Sequence, residues 1–373
     1  MPRKILLITD IGSDIDDVWC FLALAHLQEQ RHLRIVGIVT TGGNVSARAM
    51  IARRWARALS LVDEALIVHG AEDLRPNLHV AGFLAEDHPA ASHSGDTHRN
   101  SSDFIFDVLR EHGPEKVTIM AIGALTPLAA ALTAATVESN NATVRIKALA
   151  DGGHFPEIDY SNLQLLQSLH CLAIQAQAVQ NKGDLLIPDV ENAFNLRDDK
   201  EAAHTVFNQL STHVPFVLIG KHAAYRVPIW QCDLERLDMA CPEAHLQRLV
   251  RTTLLSFFHD SRSKFAAVYP QAELLLAEGG MGAEAVDGGG GRGDGWFKMV
   301  DPCCYTYDPL VAVYLVMPHL FTAQSDLSGR HMFVGNDAEH DGVPCPELVH
   351  EELLTMMLAS LRRARFPDVP CSF

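Results

Sequence analysis

The sequence predicts an α/β protein with a mainly parallel open sheet flanked by helices. Short runs rich in Val, Ile and Leu alternate along the chain with longer segments of helical period. Apolar runs of this kind suit strands that are buried on both faces, and regular alternation of strand and helix is typical of a parallel sheet with helical crossovers. A hydrophobic content of 48% against 20% charged residues supplies a sizeable core and excludes a mostly disordered chain.

The elements follow from these patterns in chain order. The predicted strands are Lys4 to Thr9, Leu33 to Thr40, Ala65 to Val68, Lys116 to Ile122, Val144 to Ala150 and Pro215 to Ile219. The predicted helices are Asp17 to Leu27, Ala47 to Leu59, Ser101 to Glu111, Leu125 to Leu132 and Lys200 to Leu210. A last amphipathic segment, Leu348 to Arg363, is predicted to pack on the sheet or on another subunit.

No internal repeat or linker divides the chain cleanly. We therefore predict a single domain over residues 1–373, with loop insertions near residues 77–100, 155–190 and 279–295.

Charge and composition restrict the partners. With 30 basic and 46 acidic residues the net charge is −16, and a field of that sign opposes nucleic acid and anionic lipid. We expect a small-molecule ligand, no nucleic acid and no membrane. The N-terminus does not resemble a signal peptide and no apolar run approaches the length of about 20 residues that spans a bilayer, so we predict a cytoplasmic protein. The eight cysteines include no C-x-x-C pair, which argues against a zinc cage.

The most informative segment is the acidic turn after the first strand, Ile8-Thr9-Asp10-Ile11-Gly12-Ser13-Asp14-Ile15-Asp16-Asp17, which places four carboxylates within eight residues. A helix N-terminus favours one or two acids, but four converging acids repel each other unless a cation or protons neutralise them. A hard divalent ion such as Ca²⁺ is the simplest solution. The alternative is a helix N-cap with solvated acids. There is no Walker lysine and no glycine-rich phosphate loop after this strand, which argues against a nucleotide-phosphate site.

This turn resembles the N-terminal signature of the inosine/uridine-preferring nucleoside hydrolases, in its form D-x-G-x-D-x-D-D. Other segments resemble family motifs in family order: Thr41-Gly42-Gly43-Asn44-Val45 (G-N-V), Ala121 to Ala129 (A-L-G-P-L-T-N-L-A), Gly152-Gly153 (M-G-G), Phe194 to Ala203 (F-N-x-x-x-D-P-E-A-A) and Tyr307-Asp308-Pro309-Leu310 (H-D-P-L). The resemblance spans residues 4 to about 320. It implies a nucleoside hydrolase-like fold with a Rossmann-like core.

The resemblance also implies a Ca²⁺ site, with ligands from Asp10, Asp17, the backbone carbonyl of Thr126, and Asp308. Asp16 is then the general base that activates a metal-bound water. An ungapped alignment on Asp10 would instead make Asp14 the base and place Ile15 at a ligand position, which isoleucine cannot fill.

Substrate contacts are implied at a second set of residues. Asn44 corresponds to a ribose-contacting asparagine, and Asn195 to one that binds the sugar's hydroxymethyl group. Asp14, Tyr307 and His222 complete the candidates: Asp14 is an extra carboxylate, Tyr307 precedes the late aspartate, and His222 follows a predicted strand.

The activity implied is calcium-dependent hydrolysis of the N-glycosidic bond of a ribonucleoside or ribosyl derivative, by a homodimer or homotetramer. The chain departs from the family at Ala193, in place of a glutamate, and at Tyr307, in place of a histidine. An expected asparagine is obscured by the insertion at 155–190, and Glu191 or Asn192 could substitute for it. Two alternatives stay open: a ribosyl-binding or signalling protein with a Ca²⁺ pocket and weak or no turnover, and a hydrolase with an altered substrate.

Overall fold

The computed structural model describes residues 1–12, 15–70, 100–149, 161–180, 185–240 and 304–365. Its strands, in chain order, are β1 Arg3–Thr9, β2 Leu33–Thr40, β3 Ile67–His69, β4 Val117–Ala121, β5 Cys171–Gln175, β6 Ala178–Gln180, β7 Leu186–Pro188, β8 Phe216–Ile219, β9 Pro228–Ile229, β10 Cys304–Tyr305, β11 Gln324–Ser325 and β12 Met332–Val334. Eight of them form one sheet in the order β11-β12-β8-β5-β4-β1-β2-β3. Only the β11–β12 pair within this sheet is antiparallel among the described residues. The predicted mainly parallel α/β fold is confirmed.

Helices cover both faces of the sheet. They are α1 Asp16–Glu29, α2 Val45–Leu59, α3 Ser101–His112, α4 Thr126–Leu149, α5 Asn162–Gln167, α6 Phe194–Asp198, α7 Lys200–Leu210, α8 Lys221–Arg226, α9 Gln231–Ala240, α10 Tyr307–Val316 and α11 Pro346–Arg363. One core lies between the sheet and α1, α2, α10 and α11, and the other between the sheet and α3, α4 and α7. Among the described residues, no helix is both long and apolar enough to cross a bilayer.

Side chains alternate between the two cores along each central strand. In β5, Cys171 and Ala173 belong to the core beneath α10, whereas Leu172 and Ile174 belong to the opposite core. Because successive side chains of a strand point to opposite faces, Gln175 continues the face that α10 covers. This alternation places a polar side chain beside α10 at the carboxyl end of β5.

The sequence located most elements well. The strand Leu33–Thr40 and the helix Lys200–Leu210 match the prediction residue for residue. The strand predicted at Val144 to Ala150 is wrong, because α4 continues to Leu149 and Ala150 lies outside the described residues. The alternation at Val144 and Ile146 resembles a strand, but it extends an alanine-rich segment, and alanine has the highest helix propensity.

The fifth strand of the sheet is instead β5, within the segment 155–190 that the sequence indicated as an insertion. Five residues with one β-branched side chain give a weak strand signal. The predicted insertions at 77–100 and 279–295 lie almost wholly outside the described residues. The single domain, the homo-oligomer and the cytoplasmic location stay predictions.

Candidate functional site

Three buried aspartates meet at the carboxyl edge of the sheet. Asp16 and Asp17 begin α1, and Asp308 lies in the first turn of α10. One carboxylate oxygen from each lies within 4.8 Å of the others, and the three residues are 5%, 1% and 4% exposed. The backbone N–H of Asp308 donates to Oδ2 of Asp16 at 3.4 Å, across 292 residues of sequence. We call this group the acid triad.

The acid triad lies where the N-termini of α1 and α10 meet, and these two helices pack against each other. A helix N-terminus stabilises a nearby carboxylate by about 0.3–1 kcal/mol at the surface and by up to about 2 kcal/mol where the carboxylate is partly buried. Two unit charges 4.8 Å apart repel by about 3.5 kcal/mol at an effective dielectric constant of about 20. The helix ends therefore offset only part of the repulsion. Oxygen donors that are buried, charged and close together fit a hard divalent cation such as Ca²⁺.

Asp10 also lies at this edge, buried at the end of β1, but its carboxylate is not among the three close ones. The Thr9 hydroxyl donates to Oδ1 of Asp17. Gly123 is required beside Asp10, because a Cβ at position 123 would lie 2.8 Å from both the amide nitrogen and Oδ1 of Asp10. The β4–α4 loop thereby approaches the acidic turn closely enough to bring Thr126 to the same edge.

Arg48 is a residue that sequence reasoning missed. It is fully buried on α2 and donates to the backbone carbonyls of Asp10, Ile11 and Gly42, with the Ile11 bond at 3.1 Å. The guanidinium group therefore ties the acidic turn to the turn after β2. The available signal was a single arginine on the helix face that otherwise carries Val45, Ala49, Ala52 and Trp55.

Thr126 begins α4 and links the triad edge to α7. Its hydroxyl donates to Oδ2 of Asp199 at 2.7 Å. The other oxygen of Asp199 caps α7 by accepting from the Ala202 amide at 3.0 Å. This connection joins the start of α4 to the residue between α7 and the short helix α6, which carries Asn195.

Asn195 is 5% exposed and pairs with Gln175, which is 8% exposed at the end of β5. Nδ2 of Asn195 donates to Oε1 of Gln175 at 3.0 Å and to the Gln175 backbone carbonyl at 3.4 Å. No sequence motif indicated Gln175.

The remaining predicted sugar contacts bind other groups of the protein or lie outside the described residues. Asn44 is exposed and acts as the N-cap of α2, its Oδ1 accepting from the Ala47 amide at 3.0 Å. Asp14 and the Gly152-Gly153 motif lie outside the described residues. Glu191 and Asn192 are both exposed; the first pairs with Lys200 at 2.5 Å and the second binds Asp189 at 2.9 Å.

Aromatic side chains lie next to Asp308. The Tyr225 ring is centred 4.9 Å from Tyr305, 6.2 Å from Tyr307 and 5.8 Å from His222. Burial, together with neighbouring Tyr225 and Asp16, raises the pKa of Tyr307 well above its ordinary value. Burial and then Lys221 lower the pKa of His222. Both side chains are therefore neutral at pH 7, which suits a surface for a planar, uncharged ring.

Comparisons with known proteins agree with this arrangement. The sequence profile of the inosine-uridine preferring nucleoside hydrolases matches residues 5–346. An uncharacterized protein of Schizosaccharomyces pombe is 27% identical over 225 residues, 58% of this chain and 60% of that protein. The chain therefore spans about 60% of the length of this curated relative.

Solved structures show the same fold at low identity. The type III effector protein XopQ, complexed with adenosine diphosphate ribose, is 18% identical with a TM-score of 0.59, covering 97% of this chain and 94% of that one. A purine-preferring ribonucleoside hydrolase from Gardnerella vaginalis is 15% identical with a TM-score of 0.58, covering 97% and 100%. The plant nucleoside hydrolase PpNRh1 is 18% identical with a TM-score of 0.55, covering 97% and 99%.

Proposed function

The chain belongs to the inosine-uridine preferring nucleoside hydrolase family. From this premise we propose that it hydrolyses the N-glycosidic bond of a ribonucleoside, which gives ribose and free base. The proposed cofactor is Ca²⁺. The observation that carries the proposal is the acid triad, in which buried carboxylates from both ends of the chain lie within 4.8 Å of one another. Buried like charges of this kind need a cation, and oxygen-only donors match calcium.

Asp10, Asp17, the Thr126 carbonyl and Asp308 would hold the ion. When bound, Ca²⁺ supplies a double positive charge that fixes the 2′ and 3′ hydroxyls of a ribose and makes a nearby water more acidic. Asp16 takes the proton of the attacking water. Its Oδ2 accepts a hydrogen bond from the Asp308 amide at 3.4 Å, which holds the Asp16 carboxylate beside the proposed ion.

The acid triad and the tyrosines beside it also suit the departure of the base. N-glycosidic cleavage passes through an oxocarbenium-like transition state, and the nearby carboxylates stabilise its positive charge. Tyr307 stands beside Asp308 with a neutral phenol, which can donate a hydrogen bond to the leaving base. The rings of Tyr225 and Tyr305 offer stacking surfaces beside it.

A second candidate function is binding of a ribosyl compound without efficient turnover. Two observations favour it: Ala193 removes a glutamate contact to the sugar, and the Asn44 side chain is occupied as a helix cap. The similar structure of XopQ is complexed with adenosine diphosphate ribose, so a larger ribosyl ligand belongs among the compounds to be tested.

The test is release of ribose from inosine, uridine, adenosine, guanosine and cytidine, with Ca²⁺ or with a chelator. We expect calcium-dependent release that Asp16→Asn lowers strongly. Asp326→Asn is the matched control, because Asp326 is equally buried but binds Ser328 and the His331 amide. Ribosyl-ligand binding without release would support the second candidate. Neither release nor binding with calcium present would refute both.

A further inference from the structure

Three neighbouring strands, β4, β1 and β2, end side by side at the edge of the sheet that carries the acid triad. β1 lies between the other two, so Asp10, which follows β1, lies between Gly123, which follows β4, and Thr41, which follows β2. The Thr41 amide donates to the Thr9 carbonyl at 2.9 Å. The end of β2 is therefore fixed beside the residue that precedes Asp10.

The Thr41 side chain faces the Asp10 carboxylate across Gly123. A Cβ built at Gly123 would lie 2.8 Å from Cγ2 of Thr41 and 2.8 Å from Oδ1 of Asp10. Both atoms are that close to one point, so they are at most twice that distance apart. Because Gly123 has no side chain, it leaves the space between them unfilled.

The Thr41 hydroxyl is buried and unpaired. Thr41 is 1% exposed, and its Oγ1 has no hydrogen-bond partner among the described residues. An unpaired buried hydroxyl lowers stability, and buried polar groups of native proteins normally have a partner, protein or not. We therefore expect this hydroxyl to bond to a group that is bound or reoriented when the site is in use.

One rotamer change turns the hydroxyl towards Asp10. Oγ1 and Cγ2 are both attached to Cβ of Thr41, and the staggered wells of χ1 lie about 120° apart. A single step therefore places Oγ1 where Cγ2 now lies, on the side of Asp10 Oδ1. The backbone on both sides is fixed, because Arg48 binds the carbonyls of Asp10 and Gly42. Side-chain rotation is thus the adjustment that these residues permit.

Thr9, at the end of the adjacent strand, already makes the corresponding contact. Its hydroxyl accepts from the Ile11 amide at 3.2 Å and donates to Oδ1 of Asp17. Asp17 is one of the three close carboxylates, whereas Asp10 is not. The carboxylate that a threonine hydroxyl holds therefore lies within the acid triad, and the carboxylate beside the unpaired threonine lies outside it.

We propose that Thr41 is a positioning residue for Asp10: when Ca²⁺ binds, the Thr41 hydroxyl donates to the Asp10 carboxylate and holds it towards the ion. This inference rests on the proposed function, since it uses the calcium site. A neutral donor suits this role, because it orients the carboxylate without cancelling the charge that attracts the cation. Removing a hydrogen-bond partner of a metal-binding group typically lowers metal affinity by about 10- to 100-fold.

The experiment measures the affinity for Ca²⁺ by calorimetry, with no nucleoside present. Thr41→Val replaces the hydroxyl with a methyl group of similar size and is expected to raise the Kd for calcium by about 10- to 100-fold. Thr41→Ser keeps the hydroxyl and should retain most of the native affinity. Equal losses in the two variants would show that the methyl group matters and not the hydroxyl, and would overturn the inference.

Thr118→Val is the matched control. Thr118 is 0% exposed, and its Oγ1 also has no hydrogen-bond partner among the described residues. It lies three residues before Ala121, the last residue of β4, and so about 10 Å from the carboxyl edge. Thr118→Val should leave the Kd for calcium unchanged, and a loss equal to that of Thr41→Val would count against a specific role for Thr41.

Urea unfolding in excess chelator separates this role from a structural one. Both valine variants remove an unpaired buried hydroxyl, so neither should lower the urea midpoint of the metal-free protein. A lower midpoint for Thr41→Val would show that the hydroxyl already has a partner without calcium, which contradicts the inference.

The two proposals fail in different ways. If the native chain and Thr41→Val bind calcium equally well, the positioning role is wrong and the proposed function stands. If Thr41→Val weakens only the binding of a ribosyl compound, the hydroxyl faces the ligand and not Asp10, and the inference is again wrong. If the native chain binds no calcium, the proposed cofactor and the role of Thr41 are both refuted. Absence of turnover alone would leave the calcium measurements, and the inference, unaffected.

Discussion

Asp308→Asn is expected to shift the free energy of unfolding in opposite directions with and without calcium. Asp308 is one of three carboxylates whose oxygens lie within 4.8 Å of one another. Its removal abolishes two of the three pairwise repulsions, each about 3.5 kcal/mol at an effective dielectric constant of about 20, or about 7 kcal/mol together. The two helix N-termini offset up to about 2 kcal/mol of this repulsion each, or about 4 kcal/mol together, which leaves about 3 kcal/mol. We therefore expect the metal-free variant to be more stable than the native chain by about 1–3 kcal/mol.

Calcium should reverse the order. A ligand at 100 times its dissociation constant stabilises the folded state by about 2.7 kcal/mol, and the variant should lose this gain because it lacks one of the carboxylates that hold the ion. The assay is urea unfolding of both proteins, followed by tryptophan fluorescence, in excess chelator and in saturating Ca²⁺. The native chain should gain stability with calcium, and Asp308→Asn should show no change.

Asp326→Asn provides the matched control. Asp326 is 5% exposed against 4% for Asp308, but it accepts hydrogen bonds from the His331 amide and the Ser328 hydroxyl. Its replacement should destabilise the protein by about 1–3 kcal/mol in both conditions and leave the calcium response intact. If Asp308→Asn behaves like this control, then the acid triad is not a cation site and the electrostatic reasoning is wrong.

Three further predictions use other contacts. Asp16→Asn is expected to keep calcium binding, measured by calorimetry, while lowering ribose release about 10²- to 10⁴-fold; an unchanged rate would show that Asp16 is not the base. Arg48→Met should lower the free energy of unfolding by about 3 kcal/mol or more, because three buried carbonyls lose a charged donor. Arg53→Met should lower it by less, since the Arg53 bond to the Ile67 carbonyl at 3.1 Å is part-buried, and equal losses would contradict the role of Arg48. His350→Leu removes a 2.8 Å bond to buried Asp233. Burial raises the pKa of Asp233, but the hydrogen bonds from His350 and the Trp230 amide hold that pKa below its ordinary value. Asp233 therefore stabilises the fold above about pH 4, and this contribution disappears as the pH falls through its folded pKa. We expect His350→Leu to lose about 1–3 kcal/mol at pH 7 and less below about pH 4 in urea titrations; a difference that does not change with pH would count against this pair.

The sequence located the acidic residues at the sheet edge wherever a motif follows a central strand. Asp16 and Asp17 come after β1, and the carboxyl ends of parallel strands share one edge of a sheet, so local pattern and topology agree there. Asp308 lies 292 residues away from Asp16, and composition or periodicity alone offered no reason to bring the two together. The family resemblance supplied that contact, because it transfers a whole fold and not only a segment.

The resemblance gives no information on residues that lie outside its motifs. Gln175 lies in a five-residue strand without a strong β signal, and its partner Asn195 is 20 residues further along the chain. Neither spacing nor residue type marks the two as a pair. Arg48 was missed for a related reason: a lone charge on an apolar helix face has several structural explanations, and only the geometry shows which carbonyls it binds.

These differences bear on whether the chain is a hydrolase or a binding protein. Ala193 stands where the resemblance implies a glutamate and the Asn44 side chain caps α2, whereas Gln175 and Asn195 form a buried amide pair at the carboxyl end of β5. If ligand recognition depends on that pair, binding energy is concentrated away from the bond that breaks. Such remote binding energy raises kcat only when it orients the sugar for attack. A Gln175→Met variant that loses kcat as well as affinity would therefore favour the hydrolase, and one that loses affinity alone would favour the binding protein.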